Sequence, residues 1–355
     1  MELGNELKSG AKRHISLDVG KIIAICLVII IHCSAEFVGE TGRTMLGFTA
    51  GNIFDSIARA GVPLFLMISG ALALNENKEK SMEKVLSEIK SFVFLIVVWS
   101  IIYAVFYEII LPMVLNEKIY MGNFVKAIID GHFHMWYLYM LIGLRIATPF
   151  LRSFVKKENS KLVLLYILMS MIFGFIKPVI KFLAASNDMI LYVNDFLDKF
   201  HMEFFTGYIA YYLAGWYILH IGFKKGYTKK LIYILGGLSL ISIMVLTQIT
   251  KEYNNTYDIL GLLVFAYSLS LFVLINDIKW SNTDNKASKI ICGLSKLSFG
   301  VYITHIIINT FAGALVQGLN PVAHICLRFV FVVVVSFGGC YILSKIPGIK
   351  KLIKM

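Results

Sequence analysis

Charged residues are scarce in this chain: only 16% of its 355 residues are Asp, Glu, Lys or Arg, against about 25% in a typical soluble domain. No polar stretch is long enough to fold as a separate soluble unit. Cysteines are few and scattered. The five, at positions 26, 33, 292, 326 and 340, sit in or beside apolar runs without CxxC spacing, which argues for free thiols and against a disulfide framework or a metal site. A Gly-rich phosphate loop, a GxSxG elbow, an HExxH pair and a DNA-binding helix pair are all missing. Internal repeats and low-complexity tracts are missing too.

What is present is apolar. Hydrophobic residues make up 58% of the chain and the mean hydropathy is +0.74. A span needs about 20 mostly apolar residues. Ten segments qualify, at 16–36, 57–75, 90–113, 134–151, 162–182, 203–220, 231–250, 257–276, 297–317 and 321–344. The expected fold is therefore all-α: one polytopic membrane helix bundle over 1–355, embedded in a lipid bilayer, with a short tail at 1–15. That tail lacks the pattern of a cleaved signal peptide.

The net charge of +12 does not point to nucleic acid, because the lysines lie in short loops between apolar runs and act there as topology signals. With the N-terminus inside, 23 of the 34 Lys and Arg residues fall in inner segments and eight in outer ones. The positive-inside rule then places both termini in the cytoplasm. Two outer segments, 37–56 and 183–202, are longer than turns and are expected to cap an outward-facing cavity.

The first span carries the chemistry-bearing pair. Lys21 and His32 are eleven residues apart, roughly 16 Å and almost three turns on one helical stripe. Ionisable groups inside a span usually face a protein interior or a wet cavity. His32 reads either as a general base near neutral pH or as a structural histidine bonded to a neighbouring helix. Glu36, one turn further on, is within reach to orient it. Lys21 reads either as a snorkelling lysine, with Asp18 beside it as a partner, or as a cation that meets the phosphates of a cytoplasmic donor.

Other polar positions in the spans are candidates for lining a cavity. Ser69-Gly70 suits close helix packing or a pore-lining hydroxyl. His132 and His134, at i and i+2, would point to different helix faces, so a metal site is not expected there. Trp136 and Tyr137 after them fit an aromatic interfacial belt. Arg145 lies deep in its span and needs a partner or water. Tyr302, His305 and Asn309 form a polar stripe that either faces the same cavity as His32 or bonds between helices.

Taken in order, SLDVGKIIAICLVIIIH, GVPLFLMISGALAL, HMWYLYMLIGLRIATPFLR, YYLAGWYI and LSFGVYITHIIIN resemble the membrane-bound acyltransferase 3 family across nearly the whole chain. The family commonly has a basic residue, usually arginine, then ten residues, then a histidine in its first helix. Lys21 and His32 stand at those positions, and the lysine keeps the charge without arginine's bidentate fork. The resemblance implies a ten-helix bundle in the bacterial cytoplasmic membrane. It also implies transfer of an acyl group, most often acetyl, from cytoplasmic acyl-coenzyme A to a hydroxyl of an extracytoplasmic cell-surface glycan or glycolipid. Acyl-coenzyme A is then a donor substrate, with no resident cofactor. His32 would be the base, Glu36 its orienter, and Lys21 and Arg145 the donor-binding cations. The rival reading is a transporter or exporter of polysaccharide or a small solute, with the same polar residues lining its path.

Overall fold

The computed structural model describes residues 13–39, 44–76, 81–184, 190–223, 225–278 and 286–353. Most of the 1–15 tail lies outside them, as do the loop cations Lys8, Lys12, Arg43, Lys78, Lys80, Lys224, Lys279 and Lys354. The described residues contain helices and connections and no strand. The principal helices are α1 (Ile15–Val38), α2 (Met45–Ala58), α3 (Gly61–Ala73), α4 (Met82–Val105), α5 (Leu111–Leu115), α6 (Met121–Asp130), α7 (Trp136–Phe154), α8 (Ser160–Ser170), α9 (Lys177–Ala184), α10 (Leu191–Asp198), α11 (Ile209–His220), α12 (Gly226–Thr250), α13 (Tyr253–Thr256), α14 (Leu262–Asp277), α15 (Lys286–Leu315), α16 (Pro321–Leu343) and α17 (Lys350–Ile353).

Seven stretches among the described residues are long and apolar enough to cross a membrane: α1, α2 with α3, α4 through α5, 157–184, α12, α15 and α16. This is a multi-pass membrane protein. The other three expected spans are helical but shorter or less apolar. Span 203–220 reduces to the 12 residues of α11, span 257–276 to the 16 of α14, and span 134–151 becomes the 19-residue α7.

The expected outer loop at 37–56 is instead mostly α2, which begins at a Thr44 cap whose hydroxyl accepts from the Gly47 N–H at 3.0 Å. With α3 it makes one passage, Met45–Ala73, broken at Arg59-Ala60. Polar residues hide this helix from a hydropathy reading. They satisfy one another inside the bundle: Ser56 donates to the Asn52 side-chain amide oxygen at 3.0 Å, and buried Asp55 pairs with Arg59. Arg59 thus lies in the bundle with its guanidinium 4.1 Å from the Tyr257 ring centre. The second expected cap, 183–202, contains α10, and 185–189 within it lie outside the described residues.

The centre of the bundle is α1, packed against α2, α3, α14, α15 and α16. Beside it, α3 and α11 cross at two glycines. A methyl group on Gly70 would sit 1.8 Å from the Tyr212 carbonyl oxygen, and one on Gly215 would sit 1.9 Å from that of Met67. Only glycine permits this approach, in line with small residues setting helix contacts in membranes.

Call the end where α1 begins the lower end. From there α4 rises through a π-helical turn, Phe106–Ile110, into α5, a continuous 34-residue passage. Asn116, left-handed at φ 54°, reverses the chain, and α6 comes back down against α4. Gly131 at φ 70° then releases the chain into the segment that carries His132 and His134.

Candidate active site

Four histidines from three parts of the chain gather in the upper half of the bundle. His32, half-buried on α1, has its ring centre 5.2 Å from His305 of α15 and 5.6 Å from Phe133. His305 lies 5.7 Å from His134. His134 and His132 share a hydrogen bond between their Nδ1 atoms at 2.7 Å. His132 in turn stacks on Tyr103 at 4.4 Å and on Tyr107 at 4.9 Å.

The expected separation of His132 and His134 onto different helix faces does not occur, because both precede α7 instead of lying on it. His132 is extended at φ −75°, ψ 141°, and His134 sits in a 3-10 turn. This backbone brings the two rings together where a helix would separate them. Burial holds the His132 imidazole down to about 4, so it is neutral at physiological pH. Among the described residues no group of three or more His, Cys, Asp or Glu is arranged to hold a metal ion.

Hydrogen bonds set the ring states where an acceptor is unambiguous. Nδ1 of His305 lies 2.6 Å from the Tyr302 carbonyl oxygen. A carbonyl only accepts, so Nδ1 carries the proton and Nε2 of the neutral ring holds a lone pair. That Nε2 is buried without a partner, as is Nε2 of His134. Tyr302 donates its hydroxyl to the His134 backbone carbonyl. Asn309 donates to the His32 carbonyl at 3.2 Å and accepts from the Cys33 thiol at 3.5 Å. It therefore ties α15 to α1 at the level of His32.

Glu36 does not reach His32. Its carboxylate accepts from Arg328 at 2.6 Å and pairs with His324 at 2.9 Å, both on α16. Helical reach allows the expected contact, but Arg328 and His324 on the neighbouring helix engage the two carboxylate oxygens. The neighbours that His32 has instead are His305 and Phe133. Sequence reasoning missed Arg328 and His324, whose i, i+4 spacing in an apolar span was the available signal.

The remaining candidates disperse. Asp18, at the lower end, takes a two-pronged contact from Arg13 at 2.6 and 2.9 Å and a hydrogen bond from Ser295 at 2.6 Å. Lys21 is half-buried on the next turn. Arg145 lies 3.5 Å from Glu88 and 3.5 Å from the Tyr212 hydroxyl, so its charge is answered within the bundle. Ser69 sits beside Tyr137, whose ring packs on Tyr302 at 5.3 Å. Trp136 is on the surface against Tyr208.

Two cavities open at opposite ends. The upper one, about 360 Å³, lies between α4, the π turn and α6, with His132 and Phe133 at its inner wall. The lower one, about 230 Å³, includes His14, Ser16, Lys229 and Asp277. None of Asp18, Ser69, Trp136, Tyr137, Tyr302, His305 and Asn309 lines either, because their polar atoms mostly bond between helices. His32 lines neither cavity, and Phe133 of the upper cavity's wall lies against it with ring centres 5.6 Å apart.

Residues 14–345 match the family model of acyltransferase 3, described as an acyltransferase domain. No curated protein and no solved structure matches the chain.

Proposed function

The chain belongs to the acyltransferase 3 family, and on that footing we propose that it is a membrane O-acetyltransferase of the bacterial cytoplasmic membrane. It crosses the bilayer ten times, counting α2 with α3 as one passage, and both termini are cytoplasmic. Acetyl-coenzyme A enters from the lower, cytoplasmic end. The acceptor, a hydroxyl of a cell-surface glycan or glycolipid, enters from the upper end. The observation that carries this reading is His32: half-buried beneath the wall of the upper cavity, and eleven residues along one helix from Lys21. That spacing, roughly 16 Å, is of the order of the extended pantetheine arm that separates a thioester from its diphosphate.

The chemistry follows from the ring. His32 takes the proton of the acceptor hydroxyl as its oxygen attacks the thioester carbonyl carbon. The tetrahedral adduct collapses, the C–S bond breaks, and the imidazolium returns the proton to the departing thiolate. An acetyl ester and free coenzyme A result, with no net proton gained or lost. Such a base contributes ~10²–10⁴-fold. Lys21 meets the donor phosphates as a point charge. Arg145, already engaged by Glu88 and Tyr212, supports the donor path through the bundle without needing to touch the thioester.

The test is acetyl transfer by purified protein in nanodiscs, supplied with acetyl-coenzyme A and envelope glycan. His32→Ala should retain folding and lose transfer. An alanine variant that acetylates at the parental rate would overturn the mechanism.

A further inference from the structure

The helix α6 turns Phe124, Ala127 and Ile128 inward as its half-buried positions and carries two exposed stripes besides. Asn123, Lys126 and Asp130 line the upper cavity. Met121, Val125 and Ile129, centred about 130° round the helix at 100° per residue, are 63%, 50% and 74% exposed. The polar stripe borders the cavity and the apolar stripe is bare on another side, which suits a wall between a wet cavity and lipid.

The depth of α6 agrees. The α4–α5 passage of 34 residues is ~51 Å long at ~1.5 Å per residue, and a hydrocarbon core is only ~30 Å thick. Its lower end carries Glu83, Lys84, Glu88 and Lys90, which belong at the water interface. The core then begins near residue 90, and Tyr103 to Glu108, against which α6 and the cavity lie, fall in its upper part. Phe133 sits at the boundary. It is 64% exposed, yet its ring centre is 5.6 Å from His32.

We propose that the upper cavity opens sideways into the outer leaflet past α6 and Phe133, and that the acceptor is the saccharide head group of a lipid-carried glycan. This rests on the acyl-transfer reading above and narrows its acceptor class. Glu108, Asn123 and Asp130 supply hydrogen-bonding groups for sugar hydroxyls, and Tyr107 supplies an aromatic wall. Lys126 answers the phosphate that joins sugar to lipid. Among the described residues no carboxylate pairs with it.

Two measurements test the proposal. The first reconstitutes Val125→Trp in phosphatidylcholine nanodiscs with and without brominated acyl chains. Extra quenching over the parent protein, comparable to that of Val334→Trp on the exposed face of α16, is expected. No extra quenching puts α6 in water and overturns the lateral opening. The second pulses cells carrying the protein with labelled acetyl and separates organic-extractable lipid from polymer. Label should appear first in saccharide-bearing lipid, and Lys126→Gln should reduce that signal several-fold. Label that enters polymer at the earliest times without passing through lipid overturns this inference and leaves acyl transfer standing. Absence of any His32-dependent label overturns both.

Discussion

His32 and His305 meet across the α1–α15 contact with ring centres 5.2 Å apart and planes inclined at 47°. His305 is held by its own helix through Nδ1 and the Tyr302 carbonyl, which leaves the buried, partnerless Nε2 as an acceptor. On the acyl-transfer reading we propose that ring contact with His305 positions the imidazole on α1, the part that the sequence suggested for Glu36. His32→Ala should lower kcat by ~10²–10⁴-fold. His305→Ala should lower it by up to ~10²-fold, the cost of a misplacement of about 1 Å, with donor KM unchanged. His305→Gln, which restores an acceptor, should recover part of the rate. Steady-state kinetics over a pH series distinguish positioning from folding, because only a positioning role shifts the pH profile while Tm is kept.

Glu36 belongs to the scaffold. Arg328 is nearly buried, with its side chain 9% exposed, and donates both to Glu36 and to the Asn309 carbonyl. Breaking a buried pair leaves an uncompensated charge and costs ~3–5 kcal/mol. Glu36 is 47% exposed, so water screens part of the loss and Glu36→Gln should cost about 1–3 kcal/mol. Replacing both partners, Glu36→Gln with Arg328→Met, should be less damaging than the sum of the single changes. Thermal unfolding of the four proteins in one detergent gives the cycle, and additive losses would show that the pair is uncoupled.

The membrane class and the placement of Lys21 and His32 on one helix are legible in the sequence because each depends on local features: apolar length and helical spacing. Residues whose role depends on a neighbouring helix are not. Asn52, Asp55, Ser56 and Arg59 make α2 look like a loop, although in the bundle Asn52 bonds to Met244 and Gln248 of α12 and Arg59 lies over the Tyr257 ring. Glu36 is within helical reach of His32, yet Arg328 and His324, almost 300 positions away, hold it. Helix geometry would part His132 from His134, but both precede the helix. The first two turn on partners that lie far off along the chain, and the third on where a helix begins.

The α3–α11 crossing gives a stability prediction with an internal control. At Gly70 and Gly215 a Cβ would overlap backbone carbonyl oxygens at 1.8 and 1.9 Å, and backbone cannot turn aside as a side chain can. Gly70→Ala should push the helices apart and cost at least the ~1–3 kcal/mol of ordinary overpacking. Gly70→Leu should yield no monodisperse protein. On α12, a Cβ added at Gly237 would meet nothing within 4 Å, so Gly237→Ala should be neutral or stabilise by up to ~1 kcal/mol. Size-exclusion profiles and Tm values decide it, and a well-folded Gly70→Leu protein would refute the close crossing.

Lys21 offers the sharpest separation of donor binding from chemistry. It lies roughly 16 Å below His32, too far to touch a reacting carbonyl held at the imidazole, so its effect should be on donor capture alone. Lys21→Ala is expected to raise KM for acetyl-coenzyme A about tenfold, one lost charge-assisted contact of ~1.5 kcal/mol, with kcat little changed. Lys21→Arg keeps the charge and should retain donor affinity. Desulfo-coenzyme A, which has the phosphates but no thioester, should bind the alanine variant more weakly by the same factor. The difference between parent and variant should narrow as ionic strength rises, because a phosphate contact near the water interface is screened by salt. A fall in kcat at unchanged KM would place Lys21 in the chemical step and refute its assignment to the phosphates.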